Sequence, residues 1–220
     1  MVESGLSLEQ KQALARQEYP GQWAAMVNAW QGNEPFDAAW LTYAASYLLK
    51  TGGTRWAVDP FSLSTRVEGV SEPDFETDLR LLEFAVLTHA HADHLDLNLI
   101  TALANAPTRW IIPGHMLERV LTLTPLPRKS VVVPVNGVPI EMGGVRLTPF
   151  ESLHFHDLGG VEETGYLAEF GKKRWLFPGD IRNYDRSRLP DFGRLDGVFA
   201  HLWLGKGHAL EKLPPFVDAY

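Results

Sequence analysis

The chain has no cysteine, which excludes disulfides and any cysteine-based zinc site. It also lacks an excess of positive charge. Lys and Arg total 20 against 27 Asp and Glu, a net charge of −7, and sequence-independent nucleic-acid binding needs a basic footprint. No apolar run approaches the length of a membrane span. The opening "MVESGLSLEQKQALARQ" has no charged segment followed by an apolar one, so no secretory leader is expected and the cytoplasm is the default compartment. G-x-S-x-G, Walker A, dinucleotide-binding and H-E-x-x-H patterns are absent too. What is present is ordinary for a globular chain of 220 residues: 45% apolar and 21% charged, enough for one sizeable core.

Along the chain, strand signals dominate. Residues 6–18 predict a polar helix, and residues 22–30 a second one with Trp23, Met26, Val27 and Trp30 at helical spacing. In residues 38–61, two apolar runs flank Thr51-Gly52-Gly53-Thr54, a hairpin ended by Asp59-Pro60. Residues 62–80 read as a polar loop. "FAVLT" (84–88) reads as a buried strand, 94–106 as a helix, "RWIIP" as a strand and "GHMLERVLTL" as a helix. "SVVVPV", "VPIEMG" and "VRLTPFES" follow as strands, then a hairpin over 164–180 turning at Gly171, then a strand at 196–204. The order favours a layered α/β sandwich over a doubly wound parallel sheet.

The chemistry concentrates in "LTHAHADHLD" (87–96), where three imidazoles and two carboxylates share ten positions. In an extended segment, residues two apart point to one side, so His89 and His91 can converge on one ion. Asp93 and His94 follow where the chain turns into a helix, which lets them reach a neighbouring position. Imidazole and carboxylate are the zinc ligands available without cysteine. Two ligand pairs side by side suggest two ions sharing an activated water, a route to hydrolysis.

This segment resembles the H-x-H-x-D-H motif of the metallo-β-lactamase superfamily, and its place after a short buried strand is similar. "WLTYAASYLLKTGGTRWAVDPF" resembles that family's opening hairpin, "PFESLHFHDLGGVEETGYLAEF" its third motif, and "RWLFPGD" the strand ending in a bridging aspartate. The resemblance implies an αββα sandwich over residues 38–220, with residues 1–37 as a helical extension. It implies that His89, His91 and His154 hold a first ion, with His156 as the alternative to His154. Asp93, His94 and Asp180 would hold a second, with Asp180 shared. Asp59 and Asp96 are candidates to orient the imidazoles, and either could instead be a cap or turn residue. The implied cofactor is zinc, one or two ions, with manganese or iron as alternatives.

There is one departure from the pattern. The family places a last ligand histidine about one helix and one strand beyond the segment resembling "DGVFAHLWLGKGHAL", whereas this sequence ends at Tyr220. The expectation is a sandwich lacking its last strand and helix, with a weakened second metal site. His208 stands where related phosphodiesterases carry an acid–base histidine, so Asp93 and His208 are the catalytic candidates. A loop histidine on the surface is the plainer reading of His208. His201 reads as core packing, His115 as structural or exposed, "KKR" (172–174) as a solvated turn. Arg182, Arg186 and Arg188 are candidates to meet an anionic group.

The implied activity is metal-dependent hydrolysis of an ester, lactone or phosphodiester in a small-molecule substrate, with no nucleic-acid or membrane partner and self-association left open. A nuclease of the same superfamily and a metal-binding protein without turnover are the alternatives. An oxygen-reducing di-iron enzyme is disfavoured, because such relatives put a carboxylate in the place of His91.

Overall fold

Period-two alternation in short apolar strands gives this protein three buried layers. The computed structural model describes residues 5–154, 160–181, 184–201 and 209–220. A first sheet carries, in spatial order, β1 (Ala38–Tyr43), β2 (Ser46–Thr51), β3 (Thr54–Val58), β4 (Phe84–Val86), β5 (Arg109–Ile111) and β6 (Val131–Val132). A second sheet carries β7 (Ile140–Met142), β8 (Val145–Glu151), β9 (Thr164–Phe170), β10 (Lys173–Phe177) and β11 (Gly197–Val198), which lie side by side in that order. The α-helices among the described residues are α1 (Leu8–Gln31), α2 (Phe75–Asp78), α3 (Leu97–Ala102), α4 (Gly114–Leu123) and α5 (Ala209–Val217).

Trp56 and Val58 of β3, Phe84 and Val86 of β4, and Ile111 of β5 face inward onto Tyr166, Ala168 and Phe170 of β9 and Phe177 of β10. The intervening Ala57, Ala85 and Trp110 face outward under α1, α3 and α4. On the far side of the second sheet, Leu167 and Leu176 pack with Phe192 and with Phe216 of α5. The result is helix, sheet, sheet, helix, the sandwich that the pattern of elements predicts.

The first sheet changes character midway. β1, β2 and β3 form an antiparallel meander, whereas β3 to β6 run parallel through helical crossovers. The parallel strands therefore end at one edge, the place where open α/β sheets bind ligands. β3 ends into Asp59 and β4 into Thr88 and His89. From the second sheet, β8 ends towards His154 and β10 towards Asp180. A backbone hydrogen bond from Thr164 N to Thr88 O (3.0 Å) and one from the Tyr166 hydroxyl to Leu87 O (2.8 Å) tie the two sheets together at this edge.

Four sequence expectations need correction. The two predicted N-terminal helices are one, α1, which runs through Pro20 and is capped by a reciprocal Ser7–Gln10 box. A mid-helix proline costs about 3 kcal/mol. Tyr19, Trp23, Val27 and Trp30 are all buried on the core, and each such side chain returns roughly 1.5–3 kcal/mol, so packing wins. The run before the Gly52-Gly53 hairpin is likewise two strands, split by Ala44 in a left-handed conformation (φ 35°). The loop at 62–80 contains α2, which Asp74 caps through Thr77 N. The strand predicted at "SVVVPV" shrinks to two residues, β6, and within 196–201, the described part of the strand predicted at 196–204, only β11 forms. Among the described residues, no helix is long and apolar enough to cross a membrane.

Candidate metal centre

The strand ends deliver histidines and carboxylates to one buried point. His89 leaves β4 with its Nε2 3.0 Å from His91 Nδ1. His154, after β8, brings its Nε2 within 3.3 Å of the same His91 nitrogen. His89 and His154 are fully buried, and His91 stands half-buried at the mouth. Asp180 closes the group: one ligand atom from each of His89, His91, His154 and Asp180 lies within 4.8 Å of all the others.

The donor set fits a metal ion. Two imidazole nitrogens bound tetrahedrally at zinc–nitrogen lengths stand about 3.3 Å apart, close to the separations around His91. The far side of the cluster gives a second indication. His94 Nε2 lies 3.3 Å from Asp180 Oδ1, yet both atoms are buried without a hydrogen bond among the described residues. Buried polar atoms left this way are costly, and either a proton on His94 or a metal ion between them satisfies both.

Behind the cluster, outer groups hold the rings. Asp59 sits in a left-handed conformation (φ 43°) directly after β3, which turns its carboxylate under the loop. It accepts from Thr88 N (2.7 Å), from the Thr88 hydroxyl and from His94 Nδ1 (2.9 Å). His94 Nε2 is thereby aimed at Asp180, the usual arrangement for a metal-binding imidazole. His89 Nδ1 faces Glu163 Oε1 (2.8 Å) and the Thr88 hydroxyl (2.9 Å). Glu163 Oε1 also accepts from Asp180 N (2.8 Å).

These surroundings set the charges. Burial, reinforced by the charge of His94, pulls the His89 pKa down to about 3, so the ring is neutral. Burial also works against a proton on His94, but Asp180 and Asp59 outweigh it and raise its pKa well above 6.5. Burial pushes Asp180 upward as well, yet His94, His201 and His89 hold it far below the usual carboxylate range. Burial, with the Asp180 charge nearby, raises the Tyr47 phenol to about 12.

The predicted residues separate cleanly. His89, His91, His154, Asp180 and His94 come together. Asp93 is half-buried in the adjoining turn and joins neither the group of four nor the second close set among the described residues, Asp59, His89 and His94. Asp96 is a helix cap: its carboxylate accepts from Asn98 N and Leu99 N at the start of α3, and from Ser62 N and the Thr65 hydroxyl. Asp59 takes the orienting role. His156, Arg182 and His208 lie outside the described residues. His115 is exposed at the start of α4, and Arg186 stacks on the Tyr220 ring (5.0 Å).

Sequence reasoning did not single out Glu163, and the core-packing reading of His201 agrees with its burial. His201 is buried against Ile181 O (2.8 Å), with its Nδ1 4.0 Å from Asp180 Oδ1. The one available signal for Glu163 was a carboxylate placed directly before the apolar strand "TGYLAEF".

Comparison with known proteins agrees with this geometry. The family model for the beta-lactamase superfamily domain matches residues 59–206. Among the curated proteins, none matches. Among solved structures, CmlA, a diiron beta-hydroxylase from Streptomyces venezuelae, is 22% identical with a TM-score of 0.55, covering 88% of this chain and 40% of its own. The metallo-beta-lactamase fold protein YhfI from Bacillus subtilis is 20% identical with a TM-score of 0.51, covering 71% of this chain and 62% of its own. Igni18, a metallo hydrolase from Ignicoccus hospitalis, is 17% identical with a TM-score of 0.50, covering 66% and 61%. The chain thus spans less than two thirds of each of these proteins, and identities this low speak for the fold alone. With the family model spanning both the histidine loop and Asp180, the chain belongs to the metallo-β-lactamase superfamily.

Proposed function

We propose that the protein is a metal-dependent hydrolase acting on an ester, lactone or phosphodiester of a small molecule. The observation that carries this reading is the mutual approach of the His89, His91, His154 and Asp180 donor atoms. In this reading His89, His91 and His154 would hold a first ion, and His94 and Asp180 would serve a second, with Asp93 the further ligand that the resemblance implies. An imidazole-rich set without sulfur favours zinc. Such an ion supplies Lewis acidity and a nucleophilic water at neutral pH.

The chain's own groups do the rest. Asp59 fixes the His94 ring. Asp180 stays anionic, since its histidine neighbours hold its pKa down. Tyr47 keeps its proton at neutral pH and can donate a hydrogen bond. His208, which lies outside the described residues, is the acid–base candidate that the resemblance supplies. The net charge of −7 weighs against a nuclease.

The test strips the chain with a chelator, restores zinc, manganese or iron, and assays generic phosphodiesters and lactones. Hydrolysis restored by zinc is the expected result. Tight metal binding without turnover on any of these would make it a binding protein. Oxygen consumption with iron, and no hydrolysis, would replace the reading with a redox one.

A further inference from the structure

Glu163 belongs to no ligand group, yet it sits at the junction of everything that does. Its side chain has no exposure to solvent. Its backbone is held on both sides: Ser152 N donates to Glu163 O (3.0 Å), and the next residue, Thr164, donates to Thr88 O (3.0 Å). It is thus fastened between the end of β8, which leads to His154, and the end of β4, which leads to His89.

We propose that Glu163 is a positioning residue that locks the two halves of the metal centre together through one carboxylate oxygen. Oε1 stands 2.8 Å from His89 Nδ1 and 2.8 Å from the backbone nitrogen of Asp180. The first contact sets the His89 tautomer, with the proton on Nδ1, and leaves Nε2 as a lone-pair donor towards the cluster. The second fixes the turn that presents the Asp180 carboxylate. A histidine and an aspartate 91 positions apart in sequence thereby share one acceptor.

The chain makes room for this arrangement. Gly179 adopts φ 67°, and a Cβ built there would lie 2.4 Å from Glu163 Oε1 and 2.6 Å from its Cδ. Any side chain at 179 would drive the carboxylate away from Asp180 N, so the glycine of "PGD" serves close approach as well as the turn. Thr88 is the competing acceptor for His89 Nδ1 (2.9 Å). Its hydroxyl proton goes to Asp59, so its oxygen can share the Nδ1 proton but holds no part of the Asp180 turn.

The inference rests on the metal-binding reading, so its test has one readout that needs no metal. Imidazole nitrogen NMR of the full chain without metal should show His89 as the Nδ1–H tautomer. Finding the proton on Nε2 overturns the proposal without any variant. In Glu163→Ala, the tautomer preference should weaken and zinc affinity, read by chelator competition, should fall about 10–100-fold, the usual loss for an outer partner of a ligand histidine. Glu163→Gln keeps an acceptor oxygen for both donors and should restore the tautomer and most of the affinity. A Glu163→Ala protein that melts lower yet keeps both the tautomer and the zinc affinity would make the residue merely structural. Should Glu163→Ala fail to fold, Glu163→Gln with the proton on His89 Nε2 overturns the proposal instead. Absence of zinc binding by the unaltered chain would sink the metal reading and leave the tautomer result standing.

Discussion

His89 and His94 leave the same loop, five residues apart, and are equally buried, yet they meet opposite electrostatic fields. His89 has a glutamate and a threonine behind it and the charge of His94 beside it, and it stays neutral. His94 lies between Asp59 and Asp180, and it holds a proton. Burial alone would discharge both rings. What divides the two sides of the site is the number of carboxylates each ring touches. The His89 ring offers a cation a lone pair as it stands, whereas His94 carries a proton that a cation would have to displace.

The largest expected effect separates the two sides by affinity. His89→Ala should weaken zinc binding by more than the about 10–100-fold that loss of an outer partner costs, because it removes a donor from the group of four. His94→Ala should leave a first zinc bound and weaken a second. Zinc titration of stripped protein reads both, and a His94→Ala chain that binds no zinc would erase the distinction.

A smaller effect is expected behind the rings. Asp59→Asn tolerates the left-handed backbone but removes the charge facing His94. Zinc affinity on the His94 side should fall about 10–100-fold, with little change at the three histidines. Equal losses at both positions would mean that Asp59 holds the loop as a whole and does not hold one ring.

The smallest effect is one of slope. The His89 pKa of about 3 lies far below neutrality, so the first zinc should bind with little pH dependence from this ring between pH 6 and 8. His94 titrates well above 6.5. Its proton must leave, so below its folded pKa the second zinc should weaken about tenfold per pH unit as pH falls. Calorimetry in buffers of different protonation enthalpy should register about one more proton released for the second ion. Equal proton release would contradict the opposite charge states of the two rings.

The site was legible in sequence wherever its chemistry is local. The H-x-H-x-D-H motif spans six residues, and the continuous apolar run of "FAVLT" and the hairpin signal over residues 164–180 mark the strands that lead to it and to Asp180. Asp96 could not be told from an orienting residue, because an aspartate before a helix suits either role and only the contacts to Asn98 N and Leu99 N decide it. Glu163 stayed hidden because its partners, His89 and Asp180, meet it only through pairing between sheets. Pro20 misled for a related reason: the local cost of a proline is visible in sequence, and the four buried side chains that outweigh it are visible only in the packed molecule.

Helix α1 also changes how this edge of the protein can open. Its last carbonyls, those of Trp30 and Gln31, and that of Gly32 beyond them, all accept from the guanidinium of Arg55 on β3, at 3.1, 2.8 and 2.8 Å. The Trp30 indole donates to Leu49 O on β2 (2.8 Å). The same β3 runs four residues on into Asp59. The end of the helix is therefore bolted to the strand that orients His94, and one cannot peel away while the other stays in register. Helix end, hairpin and carboxylate should therefore open as one unit, and hydrogen exchange at backbone amides far from the cluster should report on whether Asp59 is in place.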